Sequence, residues 1–148
     1  MDFASPAAGW HQRLSDLSLA CAGAAGGEAG CLLRAAHRLL GEAPAPWARL
    51  FAGLPPREDF DALIAAGGEA AAALALVEGR GSYMISYGPG GQHLATVVFE
   101  GRSAEASAHG ANLALAVLGA LAASLAAAAI APASHVEGLA GQPAVRLN

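Results

Sequence analysis

Residues 111–131 read ANLALAVLGALAASLAAAAIA and contain no charged side chain over twenty-one positions. A helix that is apolar on every side belongs either to the core of a globular domain or to a membrane span. The leucines, the valine and the isoleucine together favour insertion into a bilayer by only a few kcal/mol, about 0.3–0.6 each. We therefore predict a buried central helix over Ala111–Ala131, and we keep a single-span membrane protein as an alternative.

The predicted central helix has two unlike faces when its residues are placed at about 100° per step. The bulky face carries Leu113, Val117, Leu118, Leu121, Ser124 and Leu125. The opposite face carries the small residues Ala116, Gly119, Ala120, Ala123, Ala126 and Ala127. We expect the bulky face to hold the fold together. The small face should admit a strand, a helix, a second copy of the chain or a ligand at short range.

Composition predicts one predominantly helical domain over residues 1–148. Alanine occupies 40 of the 148 positions and aromatic residues make up only 5%, so Leu, Val and Ala must build the core. Alanine is also the strongest helix former. We divide the domain into a helical hairpin (1–42), a proline-rich linker with a short helix (43–55), a segment of helices, β-hairpin and central helix (56–131) and an irregular tail (132–148).

Charge and the N-terminal sequence limit the expected partners. All eight basic residues are arginines, which are scattered along the chain, and twelve acidic residues bring the formal net charge to −4. Phosphate binding needs clustered positive charge, so we expect no nucleic-acid partner. The first residues lack the basic and apolar segments of a signal peptide, which predicts a cytoplasmic protein, and we expect no membrane partner.

The N-terminal helical hairpin is predicted from one apolar stripe on each helix. Ser5-Pro6 favours a helix start, and Gly26-Gly27 separates this helix from a second one over Glu28–Leu40. The first stripe consists of Trp10, Leu14, Leu17 and Cys21. Cys21 and Cys31 lie on either side of the turn, which suggests a redox pair. The favoured interpretation is that both are small buried residues.

The middle of the chain predicts short helices. A helical turn at Trp47–Phe51 should anchor the linker, and Pro55-Pro56 should start a helix that ends at Ala66. Gly67-Gly68 predicts a break before another helix to about Leu76. Residues 74–77 could instead form a short strand.

Residues 79–101 form the one convincing β segment. Tyr83, Ile85 and Tyr87 alternate with smaller or polar residues, and Gly88-Pro89-Gly90-Gly91 supplies turn chemistry before a second apolar strand. A four-residue loop places Tyr87 opposite Gln92. The pattern predicts an antiparallel β-hairpin with two open edges, packed on the central helix, for which Ser103 is the expected N-cap. A further strand at residues 144–147 would lie against the hairpin edge.

No motif carries a catalytic signature. A phosphate loop needs a lysine, which the chain lacks; no Gly-x-Ser-x-Gly elbow occurs, and no histidines or cysteines have zinc-ligand spacing. We therefore expect no metal and no cofactor, and we favour a non-enzymatic protein.

One polar group suggests a binding site. Glu105, His109 and Asn112 stand at i, i+4 and i+7, which would place them on one side of the central helix at its front end. A carboxylate beside a histidine is the pairing that general-base sites use. Tyr83 or Tyr87 would contribute from the hairpin, and His93 would do so if the hairpin folds back over this end of the helix. The favoured interpretation of the cluster is a solvated first two turns of the helix.

The sequence as a whole predicts a predominantly helical α+β fold, in which an N-terminal helical hairpin and one antiparallel β-hairpin pack on a long C-terminal central helix. The favoured function is a small homodimeric interaction or assembly protein, with a second copy or another protein as its partner. A small-ligand binding or sensing module built on the Glu/His/Asn cluster is the alternative within a soluble domain.

Overall fold

A computed structural model describes residues 6–99 and 104–128, and it confirms the predicted class, α+β and mostly helical. The helices are α1 (Pro6–Gly23), α2 (Ala29–Gly41), α3 (Trp47–Leu50), α4 (Arg57–Ala65), α5 (Glu69–Ala75) and α6 (Leu113–Ala128). A 3-10 turn, Gly26–Glu28, joins α1 to α2. The strands are β1 (Gly81–Tyr87), β2 (His93–Phe99) and β3 (Ala106–Gly110).

The predicted central helix is α6, and it is buried on nearly every side. Every residue from Ala114 to Ala122 is buried, as are Ser124 and Leu125. The helix packs on α1, on strands β2 and β3, and on α5. Among the described residues, no helix is both long enough and apolar enough to cross a bilayer.

The start of α6 differs from the prediction. The helix begins at Leu113, after Asn112, and the residues before it form strand β3. Ser103, the predicted N-cap, lies outside the described residues. A strand forms here because residues 106–110 pair with β2 and because the small residues Ala108 and Gly110 let this strand approach α6 closely. These constraints come from other parts of the chain, so no local sequence pattern indicates the strand.

The sheet has the order β1-β2-β3 and is antiparallel throughout. Tyr87 pairs with His93, one residue beyond the predicted Gln92, so the loop has one more residue than predicted. Gln92 belongs to the loop, where its carbonyl accepts the Gly88 N–H at 2.9 Å. In the observed register, the buried β2 residues Ala95, Val97 and Phe99 lie on the helix-facing side of the sheet. A one-residue slip would turn them toward solvent.

The N-terminal helical hairpin forms as predicted. Trp10, Leu14, Leu17 and Cys21 are all buried, and the Trp10 indole N–H donates to the Leu39 carbonyl of α2 at 2.6 Å. The two cysteines do not match the favoured interpretation, since Cys21 is buried while Cys31 is exposed. The helix periodicity explains this difference: Leu33 and Ala36 face the core from α2, and Cys31 lies on another side.

The middle of the chain also follows the prediction. Helices α4 and α5 are separated at Gly67-Gly68, and residues 74–77 end α5 and continue as a turn, not as a strand. Trp47 and Phe51 are buried, and the Phe51 ring meets Phe99 of β2 edge-on at a centroid distance of 5.6 Å. The tail over residues 132–148, with the strand predicted at 144–147, lies outside the described residues.

Glycine and alanine on α6 allow its backbone to approach two neighbours closely. A Cβ at Gly119 would lie 3.2 Å from the Ala108 Cβ of β3 and 3.4 Å from the Cys21 Cβ of α1. The Ser18 hydroxyl of α1 donates to the Gly119 carbonyl at 3.1 Å. The small face around Gly119 is therefore occupied by a strand and a helix of the same chain.

The contact between β3 and α6 predicts a large cost for adding one methyl group at Gly110. A Cβ there would lie 2.8 Å from the Leu115 carbonyl carbon and even closer to the Ala116 nitrogen. We expect Gly110→Ala to lower the free energy of unfolding by about 1–3 kcal/mol or more, because backbone atoms must move. Chemical denaturation measures the change.

Gly9→Ala is the matched control, because a Cβ at this α1 position meets no atom within 4 Å. Alanine should stabilise the helix there by about 0.5–1 kcal/mol. Equal effects of the two substitutions would contradict the close contact at Gly110.

Candidate functional site

Strand β1 lies at an edge of the sheet, outside the helix layer, by which we mean α6 and the helices packed around it. Among the described elements it packs extensively on β2 alone, whereas α6 covers β2 and β3. Four large apolar side chains are exposed in the described part of the chain, and three of them are on β1: Tyr83 at 39%, Met84 at 67% and Tyr87 at 68%. Tyr83 and Tyr87 lie on the helix-facing side of the strand and Met84 on the opposite side. Exposed apolar side chains thus flank the strand edge on both faces, which marks an interaction surface more often than single exposed residues do.

Along this edge the backbone of β1 offers hydrogen-bonding groups that no described residue pairs with. In an antiparallel strand, consecutive residues point their N–H and C=O groups alternately to the two sides. The Gly88 N–H donates toward Gln92, and the Gly81 N–H donates away from β2, to the Val77 carbonyl at 3.0 Å. The even-numbered residues of β1 therefore bond to β2, while Tyr83, Ile85 and Tyr87 present their backbone groups to the open edge.

Nothing in the sequence of β1 protects this edge. The strand reads GSYMISY, without a charged residue or a proline, and its pairing with β2 is continuous over seven residues, without a bulge. Natural edge strands usually carry one of these features, because an open edge pairs readily with another strand. We name this open side of Gly81–Tyr87 the β1 edge.

The Glu105, His109 and Asn112 cluster does not form as predicted. The prediction placed all three on one side of a helix, but Glu105 is exposed ahead of β3, and His109 is exposed on β3 opposite Leu94. Asn112 is the N-cap of α6: its Oδ1 accepts the Leu115 N–H at 2.9 Å. Their spacing of four and three positions would align them on a helix. Here the three residues lie in a loop, in a strand and at a helix N-cap, so the same spacing does not bring them together.

Two of the predicted hairpin residues do meet. Tyr87 and His93 are cross-strand partners with ring centroids 4.8 Å apart, and Tyr83 lies on the same face of β1. The His93 Nδ1 is buried and has no hydrogen-bond partner among the described residues. His109 is on the opposite face of the sheet, since it pairs with Leu94 and not with a neighbour of His93 on the same face.

A shallow groove of about 400 Å³ lies between α1 and the far end of α6. Ala123, Ala126 and Ala127 of the small face line it, together with His11 of α1. Burial lowers the pKa of His11 below its usual value, and a backbone hydrogen bond with Leu125 partly offsets this effect. The groove holds no cluster of metal-ligating residues; none occurs anywhere in the residues that the structure describes.

A larger groove of about 750 Å³, which the sequence did not indicate, is lined by Trp47, Arg49 and Arg80. The Arg80 side chain is committed to the fold: Nε donates to the Leu50 carbonyl at 3.0 Å and Nη1 to the Ala75 carbonyl at 3.1 Å. These carbonyls belong to the last residues of α3 and α5, where a cation is favourable. Arg80 thus connects two helix ends, and no nearby sequence pattern reveals this.

Comparison with known proteins identifies no relative: no family model matches the chain, and neither does any curated protein or solved structure.

The geometry of Asn112 predicts a structural role for this residue. Asn112→Ala should lower the free energy of unfolding by about 1 kcal/mol, because the N-cap acceptor for Leu115 is lost. His109→Gln, at an exposed position, should change it by less than about 0.5 kcal/mol. Chemical denaturation of both variants measures this contrast, and a larger effect at His109 than at Asn112 would contradict it.

The two cysteines should differ strongly in reactivity. Burial raises the pKa of the Cys21 thiol to about 12, and the thiolate is the reactive form. Titration of the native protein with an aromatic disulfide reagent should modify Cys31 rapidly and Cys21 only after unfolding. Cys31→Ser is the control and should leave no fast-reacting thiol. Rapid modification of both thiols would show that Cys21 is accessible.

Proposed function

We propose that this chain is a non-enzymatic interaction and assembly protein that forms homodimers by strand addition at the β1 edge. One observation carries the proposal: an uncharged, regular edge strand lies outside the helix layer and exposes Tyr83, Met84 and Tyr87. Strand addition to an open edge supplies main-chain hydrogen bonds for affinity and side-chain contacts for specificity.

The small face of α6 contributes less to this proposal than the sequence suggested. Around Gly119, that face is filled by Ala108 and Cys21 of the same chain, so a second copy has no comparable access there. The β1 edge has no such cover among the described elements. An unprotected edge also favours unspecific association, and a specific partner strand would remove this hazard.

The size of the exposed surface suggests a dimer of moderate affinity. The exposed parts of the three β1 side chains amount to at most roughly 800 Å² over two copies, if a buried aromatic side chain contributes about 150–250 Å². Before the strand backbone is added, this area lies below the roughly 1,200 Å² at which specific, stable interfaces begin. We therefore expect a dimer population that depends on concentration.

A second candidate function is the binding of a small ligand at the Tyr87 and His93 pair. The buried Nδ1 of His93, which lacks a partner in the described part of the chain, favours it, since a ligand group that donates to or accepts from this atom, according to the tautomer of the ring, would satisfy it. The candidate has less support, because Glu105, His109 and Asn112 lie elsewhere and supply no further polar groups to the pair.

Sedimentation velocity over a range of protein concentrations tests assembly. The wild-type chain should shift from monomer to dimer as its concentration rises through the micromolar range. Met84→Lys should weaken the dimer at least tenfold, since like charges of two copies would meet beside the open edge. Circular dichroism should show an unchanged fold, because Met84 is exposed.

Leu19→Lys is the matched control. Leu19 is 72% exposed but lies on α1, so its substitution should leave the dimer intact. A wild-type chain that sediments as a monomer at all concentrations would overturn the proposal, and so would a dimer that Leu19→Lys disrupts and Met84→Lys does not.

A further inference from the structure

We infer that the partner strand is β1 of a second copy, paired antiparallel in a register centred on Met84. This inference rests on the proposed function, because it specifies which strand occupies the β1 edge and how the two strands are aligned.

The backbone of β1 restricts the registers that are available. Tyr83, Ile85 and Tyr87 direct N–H and C=O groups to the open edge, where none of the described residues pairs with them, whereas Ser82, Met84 and Ser86 are bonded to β2. Hydrogen-bonded pairs across a β1–β1 contact must therefore join odd-numbered residues, and even-numbered residues must oppose each other without such bonds. A two-fold axis through the contact meets this condition, because it presents the same groups from both copies.

Among these registers, the one centred on Met84 pairs the whole strand. Tyr83 of each copy lies opposite Ile85 of the other, and each such pair exchanges two main-chain hydrogen bonds. The end pair joins Gly81 to Tyr87, where the Gly81 carbonyl accepts a bond; the Gly81 N–H is already donated to Val77. A shift of the centre to Tyr83 or Ile85 leaves two residues unpaired at one end of each strand.

Side chains of the two strands also complement each other in this register. On the helix-facing side, the ring of Tyr83 meets the β-branched Ile85, a favourable cross-strand pair. The Tyr87 ring lies over Gly81, which has no side chain because the Phe99 backbone leaves no room for one: a Cβ would lie 2.9 Å from the Phe99 Cα. On the opposite side, Ser82 meets Ser86 and the two Met84 side chains meet.

A second copy fits this edge better than a strand of a different protein with charged side chains. The seven residues carry no charge, so the edge offers no charge complementarity to such a partner. A second β1 strand, in contrast, supplies each of the cross-strand side-chain pairs described above. The product is a doubled sheet, ordered β3-β2-β1-β1-β2-β3, with both α6 helices on the same face.

Cysteine substitution on the outer face of β1 tests the register. In a background with Cys31→Ser, Met84→Cys places two thiols in a non-hydrogen-bonded pair with Cα atoms about 4.5 Å apart, within the range that a disulfide spans. Ser82→Cys and Ser86→Cys, each alone, place the two thiols about 13 Å apart along the strands. Under mild oxidation, Met84→Cys should form a covalent dimer about tenfold faster or more than either single variant.

The double variant Ser82→Cys with Ser86→Cys is the positive control for the same register and should also form a covalent dimer rapidly. A dimer by sedimentation that is cross-linked fastest by Ser82→Cys or Ser86→Cys alone would overturn the register while leaving the proposed function standing. A dimer that none of the variants cross-links would overturn β1 self-pairing. A chain that remains monomeric at all concentrations would overturn the proposed function together with this inference.

Discussion

The fold depends on the close approach of the α6 backbone to its two neighbours. Gly110 of β3 lies against the backbone of residues 115 and 116, and Gly119 lies between β3 and α1. Packing of this kind replaces side-chain volume with direct backbone contact, which a chain with 40 alanines and few aromatics requires. Trp10, Phe60 and Phe99 are among the largest fully buried side chains and fill other parts of the core.

The same constraint leaves β1 outside the helix layer. Helix α6 follows β3 directly and packs on β3 and β2, where small residues let it come close. One helix covers only about two strands, so α6 does not cover β1. The buried pattern of Ala95, Val97 and Phe99 gives way to a mostly exposed pattern on β1. The exposure of Tyr83 and Tyr87 is thus a consequence of where the small residues lie, and it creates the surface on which the proposed assembly rests.

Local patterns in the sequence predicted most of the helices and the hairpin. The stripe from Trp10 to Cys21 and the alternation around Ile85 are periodic, so each could be recognised without knowledge of its neighbours. Strand β3 could not, because ASAHG has no alternation of large apolar residues and is defined by its pairing with β2. The spacing of Glu105, His109 and Asn112 therefore suggested a helix that does not form. The hairpin tyrosines were recognised as a candidate surface, but Met84 was missed, since the exposure of β1 depends on the position of α6.

The distribution of aromatic residues gives the molecule two separate optical reporters. Both tryptophans are buried among the helices, and the Trp10 indole is tied to α2 by its hydrogen bond to Leu39. Both tyrosines of the chain lie on β1 and are exposed. Tryptophan fluorescence therefore reports on the integrity of the helical core, while tyrosine absorbance reports on the strand at the edge of the sheet. Loss of the core and occupation of the edge can thus be followed independently in one unlabelled sample.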